Sequence, residues 1–254
     1  MVRWEHPMSS PRFEKHVVLV TGSSKGLGRS IAMAFGHREF RVAVNYRVDT
    51  VGALASTRAI EAAGGEAVAH QADVRDAKAV HAMVSAITER WGRLDVLVCN
   101  AAMTADEFVV RLSEDSWDRV LRTILTGAFH CLQAAGPVMQ RQGGGAVVFM
   151  GSFAGMQGAP GQTAYASAKA GLLGLMNSLA REWGPDRIRI NMILPGWHAT
   201  ALTRYKEDVT AAPFTRVLED GTTMAAVADF VVAVATMPSV SGQVFNIDSR
   251  MLLS

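Results

Sequence analysis

Cysteine is scarce in this chain. Cys99 and Cys131 are the only two among 254 residues. Two cysteines build no disulfide framework, and their spacing matches no metal motif. Long apolar runs are missing too. None reaches the roughly 18 residues of a spanning helix. The first 15 residues mix charges, prolines and Trp4, and carry no apolar signal core. Charge of one sign is also missing: 25 Lys and Arg stand against 23 Asp and Glu, a formal net charge of +2. Without a block of like charges, no nucleic-acid surface is expected. These absences predict a protein of the reducing cytoplasm, with no membrane partner, no nucleic-acid partner and no metal site.

What is present is a core. Apolar residues make up 49% of the chain and charged residues 19%, which excludes a disordered chain. Short apolar runs alternate with longer helical stretches. Strands are predicted at 17–21, 41–46, 67–71, 94–100, 146–152, 187–194 and 243–248. Helices are predicted at 26–36, 50–63, 77–91, 114–141, 164–183 and 224–236. That alternation argues for βαβ units and a parallel sheet. The runs Val17-Val18-Leu19-Val20 and Val96-Leu97-Val98-Cys99 are apolar on both faces, as buried parallel strands are. No break in composition marks a second domain, so 1–254 reads as one domain with an N-terminal extension over 1–15. The irregular stretch 197–222 is long for a compact domain and reads as a substrate lid.

Two strings carry chemistry. The first is Thr21-Gly22-Ser23-Ser24-Lys25-Gly26-Leu27-Gly28, set between a predicted strand and a predicted helix. Its glycines suit a tight turn, close approach of backbone to a pyrophosphate, and close helix–strand packing. The amides that open the helix favour negative charge. The strand-before and helix-after context makes this a dinucleotide floor rather than an ordinary turn.

The second string is Tyr165-Ala166-Ser167-Ala168-Lys169, with Ser152 thirteen residues before the tyrosine. Tyr165 and Lys169 are four apart on a predicted helix and share a face. A free phenol, with a pKa near 10, is a weak base at neutral pH. A neighbouring ammonium favours the phenolate, so Lys169 is expected to lower the Tyr165 pKa. Ser152, at a strand end, could hold a carbonyl oxygen. A Tyr-x-x-x-Lys pair alone is an ordinary exposed helix pair. Ser152 and the glycine loop together make it a catalytic set.

The spacing Thr21-Gly22-x-x-x-Gly26-x-Gly28 resembles that of the short-chain dehydrogenase/reductase family. So do Ala72-Asp73-Val74, Asn100-Ala101, Ser152, Tyr165-x-x-x-Lys169, Pro195-Gly196, Thr200 and Gly242-Gln243. The resemblance runs from about Val17 to Asp248 and is nearest to the 3-oxoacyl-[acyl carrier protein] reductase group. It implies a single doubly wound Rossmann domain of class α/β with about seven parallel strands. It also implies catalysis by Ser152, Tyr165 and Lys169. The cofactor contacts it implies are Gly22, Ser24, Lys25, Gly26, Leu27, Gly28, Arg47, Asp73, Val74, Asn100, Ala101, Tyr165, Lys169, Pro195, Gly196 and Thr200. Asp73 would meet the adenine, and the segment Pro195-Gly196 with Thr200 the nicotinamide carboxamide. The long predicted helices 114–141 and 164–183 would form the family's subunit contact, giving a homodimer or homotetramer.

Some positions depart from the family pattern. Ile124 stands where the family carries an asparagine that helps hold a water linking the lysine to solvent. Cys99 and Ala102 interrupt Asn-Asn-Ala-Gly. Ser249-Arg250 replace a pair of glycines. The second strand ends Asn45-Tyr46-Arg47, without the carboxylate that accepts from an NAD ribose. Arg47 and Lys25 suit a 2′-phosphate instead, although a lone arginine is commonly a solvated surface charge. NADP is therefore the expected cofactor. The expected activity is NADPH-dependent reduction of a ketone, carried by a small molecule or by an acyl carrier. NAD-dependent alcohol oxidation and a catalytically impaired dinucleotide-binding protein remain as alternatives.

Overall fold

The computed structural model describes residues 15–198, 218 and 221–250. Seven strands form one parallel sheet: β1 (Val17–Val20), β2 (Arg41–Tyr46), β3 (Glu66–Gln71), β4 (Val96–Cys99), β5 (Gly145–Met150), β6 (Ile188–Leu194) and β7 (Val244–Asn246). The spatial order is β3-β2-β1-β4-β5-β6-β7. The chain winds outward from β1 in one direction through β2 and β3, then returns to place β4 on the other side of β1. A crevice forms where the order reverses, outside the carboxyl ends of the strands. The all-parallel doubly wound sheet is the one expected from the sequence.

Helices cover both faces. On one face α1 (Gly26–Gly36), α2 (Thr50–Ala62) and α8 (Met224–Thr236) pack through Ile31, Phe35, Ile60 and Val231 onto Val18, Val20, Val42 and Val148. On the other, α3 (Ala77–Trp91), α5 (Gly127–Arg141) and α7 (Thr163–Glu182) press Ile87, Leu132, Met139, Leu172 and Met176 onto Leu19, Leu97 and Phe149. Residues of β1 alternate between these two clusters, so the strand is apolar throughout.

Most helix starts are closed by a side chain. Asp49 accepts from the Gly52 amide, Asp76 from Lys78 and Ala79, and Thr223 from Ala226. Helix α1 differs. Its N-cap residue Lys25 makes no side-chain cap, and its first turn carries no acid. Its leading amides and the positive end of its dipole are left for a ligand.

Two local features depart from the sequence reading. The helix expected over 114–141 is present and stays helical throughout, but it runs as α4 (Glu114–Leu121), a π-helical turn at Arg122–Thr126 and α5. A π-turn is a single-turn bulge within a helix, too short for composition to reveal it. A short helix, α6 (Phe153–Gln157), follows β5 and was not expected. It is only five residues long, too short for a periodic signal. Of the lid expected over 197–222, Trp197, His198, Leu218 and residues 221–222 are described. Thr200 and the rest lie outside the described residues, as do 1–14.

Candidate active site

A cavity of about 1190 Å3 opens at the carboxyl ends of the strands. The turns after β1, β2, β3, β4, β5 and β6 all contribute to its wall. It brings together every predicted site residue except Gly26, which opens α1 behind the wall, and Thr200.

The glycine loop is fastened on two sides. Asn100, just past β4, donates its side-chain amide to the Thr21 and Gly22 carbonyls at 2.8 and 3.2 Å. The Asn100 and Ala101 backbone amides both donate to the Thr21 hydroxyl, which donates in turn to the Val98 carbonyl. From the other side, the Gly22 amide donates to buried Asn45, whose own amide donates to the Ala72 carbonyl at 3.0 Å. Asn100 thus positions the floor through its side chain. Gly22 has φ +63, and a Cβ on Gly28 would stand 2.5 Å from both the Asn100 amide nitrogen and the Gly22 carbonyl oxygen. Two loop glycines are therefore obligatory, one for its turn and one for close approach. A tightly held loop feeding an uncapped helix start fits a dinucleotide pyrophosphate.

At one end of the cavity the wall carries Lys25, Arg47, Asp49, Asp73 and Arg75. Lys25 and Arg47 are exposed. Asp73 is not a free acceptor: Arg75 donates to both its oxygens, through Nε at 3.0 Å and Nη2 at 2.6 Å. This pairing with Arg75, aided by the charge of Arg47, lowers the Asp73 pKa despite its burial. Arg75 was missed in the sequence. Its signal was weak, a basic residue two positions after the expected adenine contact.

The catalytic candidates meet deeper in the cavity. Ser152 caps α6, accepting from the Ala154 amide at 3.2 Å, and its hydroxyl favours the Tyr165 phenolate, opposing the rise in that phenol's pKa. Tyr165 and Lys169 lie one turn apart on α7. The Lys169 ammonium is 5.6 Å from the Tyr165 ring centre and donates to the Met150 carbonyl at 2.5 Å. Lys169 is buried, with 4% of its surface exposed. Burial lowers its pKa to about 8.

The expectation that Lys169 lowers the Tyr165 pKa is corrected here. Burial pushes the phenol up to about 12, against the lowering effect of the Ser152 hydrogen bond and with a further push from Asp106. Desolvation of the phenolate outweighs stabilisation of its charge. One of the three donors on the lysine's Nζ goes to the Met150 carbonyl. Asp106 is a cavity residue the sequence reading passed over. It accepts from Gln162 at 3.3 Å, and the neighbouring Glu107 amide donates to Gly161, so the 101–112 loop rests on the turn before α7.

Behind Lys169 lies a second cavity of about 10 Å3, walled by Ile124, Cys99, Cys131, Thr21 and Lys169 among others. Ile124 is buried within the π-turn. The departure noticed in the sequence therefore sits beside Lys169. Burial raises the Cys99 thiol pKa well above its ordinary value, reinforced by Cys131 and opposed by Lys169. Met156 is partly exposed and outside the main cavity. His130 is tied to the Val74 carbonyl at 2.9 Å. His198 does line the cavity, with one ring nitrogen 2.7 Å from the Pro195 carbonyl oxygen.

A doubly wound sheet, an open helix N-terminus behind a glycine turn, and a Ser-Tyr-Lys cluster in one cleft define a dinucleotide-dependent oxidoreductase. The family model for short chain dehydrogenases matches residues 16–210, and the chain belongs to that family. It is 40% identical over 208 residues to the 3-oxoacyl-[acyl-carrier-protein] reductase FabG of Staphylococcus aureus strain Mu50, covering 80% of this chain and 85% of that one. It is 35% identical over 242 residues to the 3-oxoacyl-[acyl-carrier-protein] reductase of a Synechocystis strain, covering 93% and 97%. A solved structure from Sinorhizobium meliloti 1021, of the short-chain alcohol dehydrogenase type, superposes with a TM-score of 0.81. It shares 35% identity over 92% of this chain and 95% of its own. Among the described residues, no helix is long and apolar enough to cross a membrane.

Proposed function

We propose that this protein reduces a ketone to a secondary alcohol with NADPH, with Tyr165 as the proton donor. The observation that carries this reading is the meeting of Ser152, Tyr165 and buried Lys169 in the same cavity as the glycine loop. A bound nicotinamide dinucleotide supplies the hydride. The residues of this chain do the rest. The α1 amides and the glycine loop take the pyrophosphate. Lys25 and Arg47 take the 2′-phosphate. Ser152 donates to the carbonyl oxygen and orients it.

Tyr165 then donates its proton to that oxygen. A pKa of about 12 keeps the phenol protonated at neutral pH, so the acid is loaded before substrate arrives. The phenolate left behind lies beside the Lys169 ammonium, which holds it until a proton returns. With a pKa of about 8, that ammonium is still charged at pH 7. The named activity of the similar reductases supports 3-oxoacyl chains as the starting substrate class. The reducing cytoplasm is the proposed setting, consistent with two buried free thiols. The whole of 1–254 is proposed to act as one domain. Partly exposed Phe129 on α5 supports a homodimer or homotetramer built through α5 and α7.

The test is NADPH consumption over a panel of ketones, with Tyr165→Phe as the comparison. Turnover should fall by about 10²–10⁴-fold or more, while NADPH binding stays close to normal. Wild-type turnover in the phenylalanine variant would refute the assignment. Ile124 favours a second reading, a dinucleotide-binding protein without turnover, which predicts NADPH binding and no activity on the whole panel.

A further inference from the structure

The segment after β7 brings an arginine to the substrate end of the cavity. Arg250 is 14% exposed and its partner Asp248 is 2% exposed. Arg250 Nε donates to Asp248 Oδ2 at 2.5 Å, and Nη2 pairs with the same oxygen. The guanidinium carbon stands 4.9 Å from the ring centre of Phe153, the residue after Ser152. On its other flank, Asp248 lies against Gly196. A Cβ on Gly196 would come within 2.8 Å of Asp248 Oδ2, and Gly196 has φ +83. Glycine at 196 lets the ion pair lie directly against the turn after β6.

The pair leaves donors unused. A guanidinium has a side fork, Nε with Nη2, and an end fork, Nη1 with the second hydrogen of Nη2. Asp248 takes the side fork. Nη1 has no hydrogen-bond partner among the described residues. Trp197, in the same cavity wall, has a buried indole N–H with no partner either. An arginine that only braced the chain terminus would spend its donors on protein acceptors. The buried Trp197 donor is costly to leave unmet, and the complement of an open guanidinium fork is a planar acceptor with two oxygens. Asp248 offsets the cost of burying the cation and fixes the plane of the fork.

We infer that Arg250, aided by Trp197, binds a carboxylate on the substrate, so that the enzyme prefers oxo acids to neutral ketones. This rests on the ketoreductase reading above and replaces its starting substrate class, carrier-bound 3-oxoacyl chains, with free oxo acids. Phe153 joins Arg250 to the residue that orients the carbonyl, so the carboxylate and the ketone would be held from adjacent positions in the chain. Arg250 is a specificity-determining residue here, with no part in proton transfer.

The test uses 2-oxobutanoate, 3-oxobutanoate and 4-oxopentanoate, each beside its methyl ester, with saturating NADPH. For at least one chain length, kcat/KM for the acid should exceed that for the ester by tenfold or more. Arg250→Met should cut this acid-to-ester ratio at least tenfold, chiefly through KM for the acid, and Arg250→Lys should restore part of it. An ester preference at every chain length, or a ratio unchanged by Arg250→Met, overturns the inference. A tenfold loss of NADPH affinity in Arg250→Met would assign the arginine to the cofactor instead. If no acid or ester is turned over, the ketoreductase reading fails. Calorimetric titration of the three acids into the NADP+-loaded protein then still decides Arg250: binding must be seen and must be lost in Arg250→Met, and its absence overturns the inference.

Discussion

A methyl group on Gly155 would stand 2.7 Å from Lys169 Cβ and 2.9 Å from the Lys169 carbonyl carbon. Helix α6, which carries the Ser152 cap, is thereby pressed onto the turn of α7 that carries the lysine. The contact is with backbone, which cannot step aside as the tip of a flexible side chain can.

Replacing Gly155 with alanine should therefore be harmful, although alanine in a helix is ordinarily better than glycine by roughly 1 kcal/mol. Overpacking of this kind costs about 1–3 kcal/mol. The shift would also separate Ser152 from Tyr165. Denaturant unfolding should show the loss of stability, and kcat should fall with it. A stabilised variant of full activity would mean that α6 and α7 adjust freely.

Lys169 makes the cofactor-free protein pH-sensitive. Burial lowers its pKa from 10.5 to about 8, so the unfolded chain holds the proton over a range where the folded chain has lost it. Stability from this site is therefore lowest below pH 8 and rises between pH 8 and 10.5. The span is about 3 kcal/mol. The buried Cys99 and Cys131 thiols, raised from 9.0, and Tyr165, raised from 10 to about 12, act oppositely at higher pH, so the window from pH 7 to 10 is read as the difference between a Lys169 variant and its parent, which share those groups. Lys169→Met should be more stable than the unmutated protein at pH 7, with the gap shrinking toward pH 10. A gap that stays constant across that window would show that the ammonium is not strained by burial.

Arg47 and Lys25 set the expected cofactor preference. NADPH should bind at least tenfold more tightly than NADH, about 1.4 kcal/mol. Arg47→Ala should remove most of that difference and leave NADH affinity nearly unchanged. Equal affinity of the unmutated protein for both cofactors would discard the phosphate assignment.

Ile124 closes the small cavity behind Lys169 with a hydrocarbon. Ile124→Asn would place an amide there, at a stability cost of about 1–3 kcal/mol if its groups lack partners. A polar anchor beside the lysine should ease proton return, raising kcat and reducing the solvent isotope effect on a substrate whose chemical step limits the rate. Unchanged values of both would mean that protons reach Tyr165 by another route.

The repeating elements and most of the site were legible because their signals are local. Buried parallel strands read as unbroken apolar runs, and the glycine loop, Ser152 and Tyr165-x-x-x-Lys169 occupy fixed offsets from them. Strand ends differed by a few residues, because the ladders stop where neighbouring chains diverge. Arg75 and Asp106 escaped notice because each acquires its role from a partner. Arg75 holds Asp73 in a geometry set by the turn after β3, and Asp106 acts on a tyrosine far along the chain.

The sequence by itself determined the class of fold and the family and singled out the proposed catalytic trio, since each is written in spacing along one strand or helix. Tertiary structure alone decided the electrostatics and the shape of the pocket. It turned the Lys169 ammonium onto the Met150 carbonyl, and it raised the Tyr165 pKa by burial where spacing predicted a lower one. It set Ile124 behind the lysine and folded Arg250 back over Phe153. Desolvation and charge–charge energies depend on what surrounds a group in three dimensions, and residues from distant parts of the chain supply those surroundings only once the sheet is assembled.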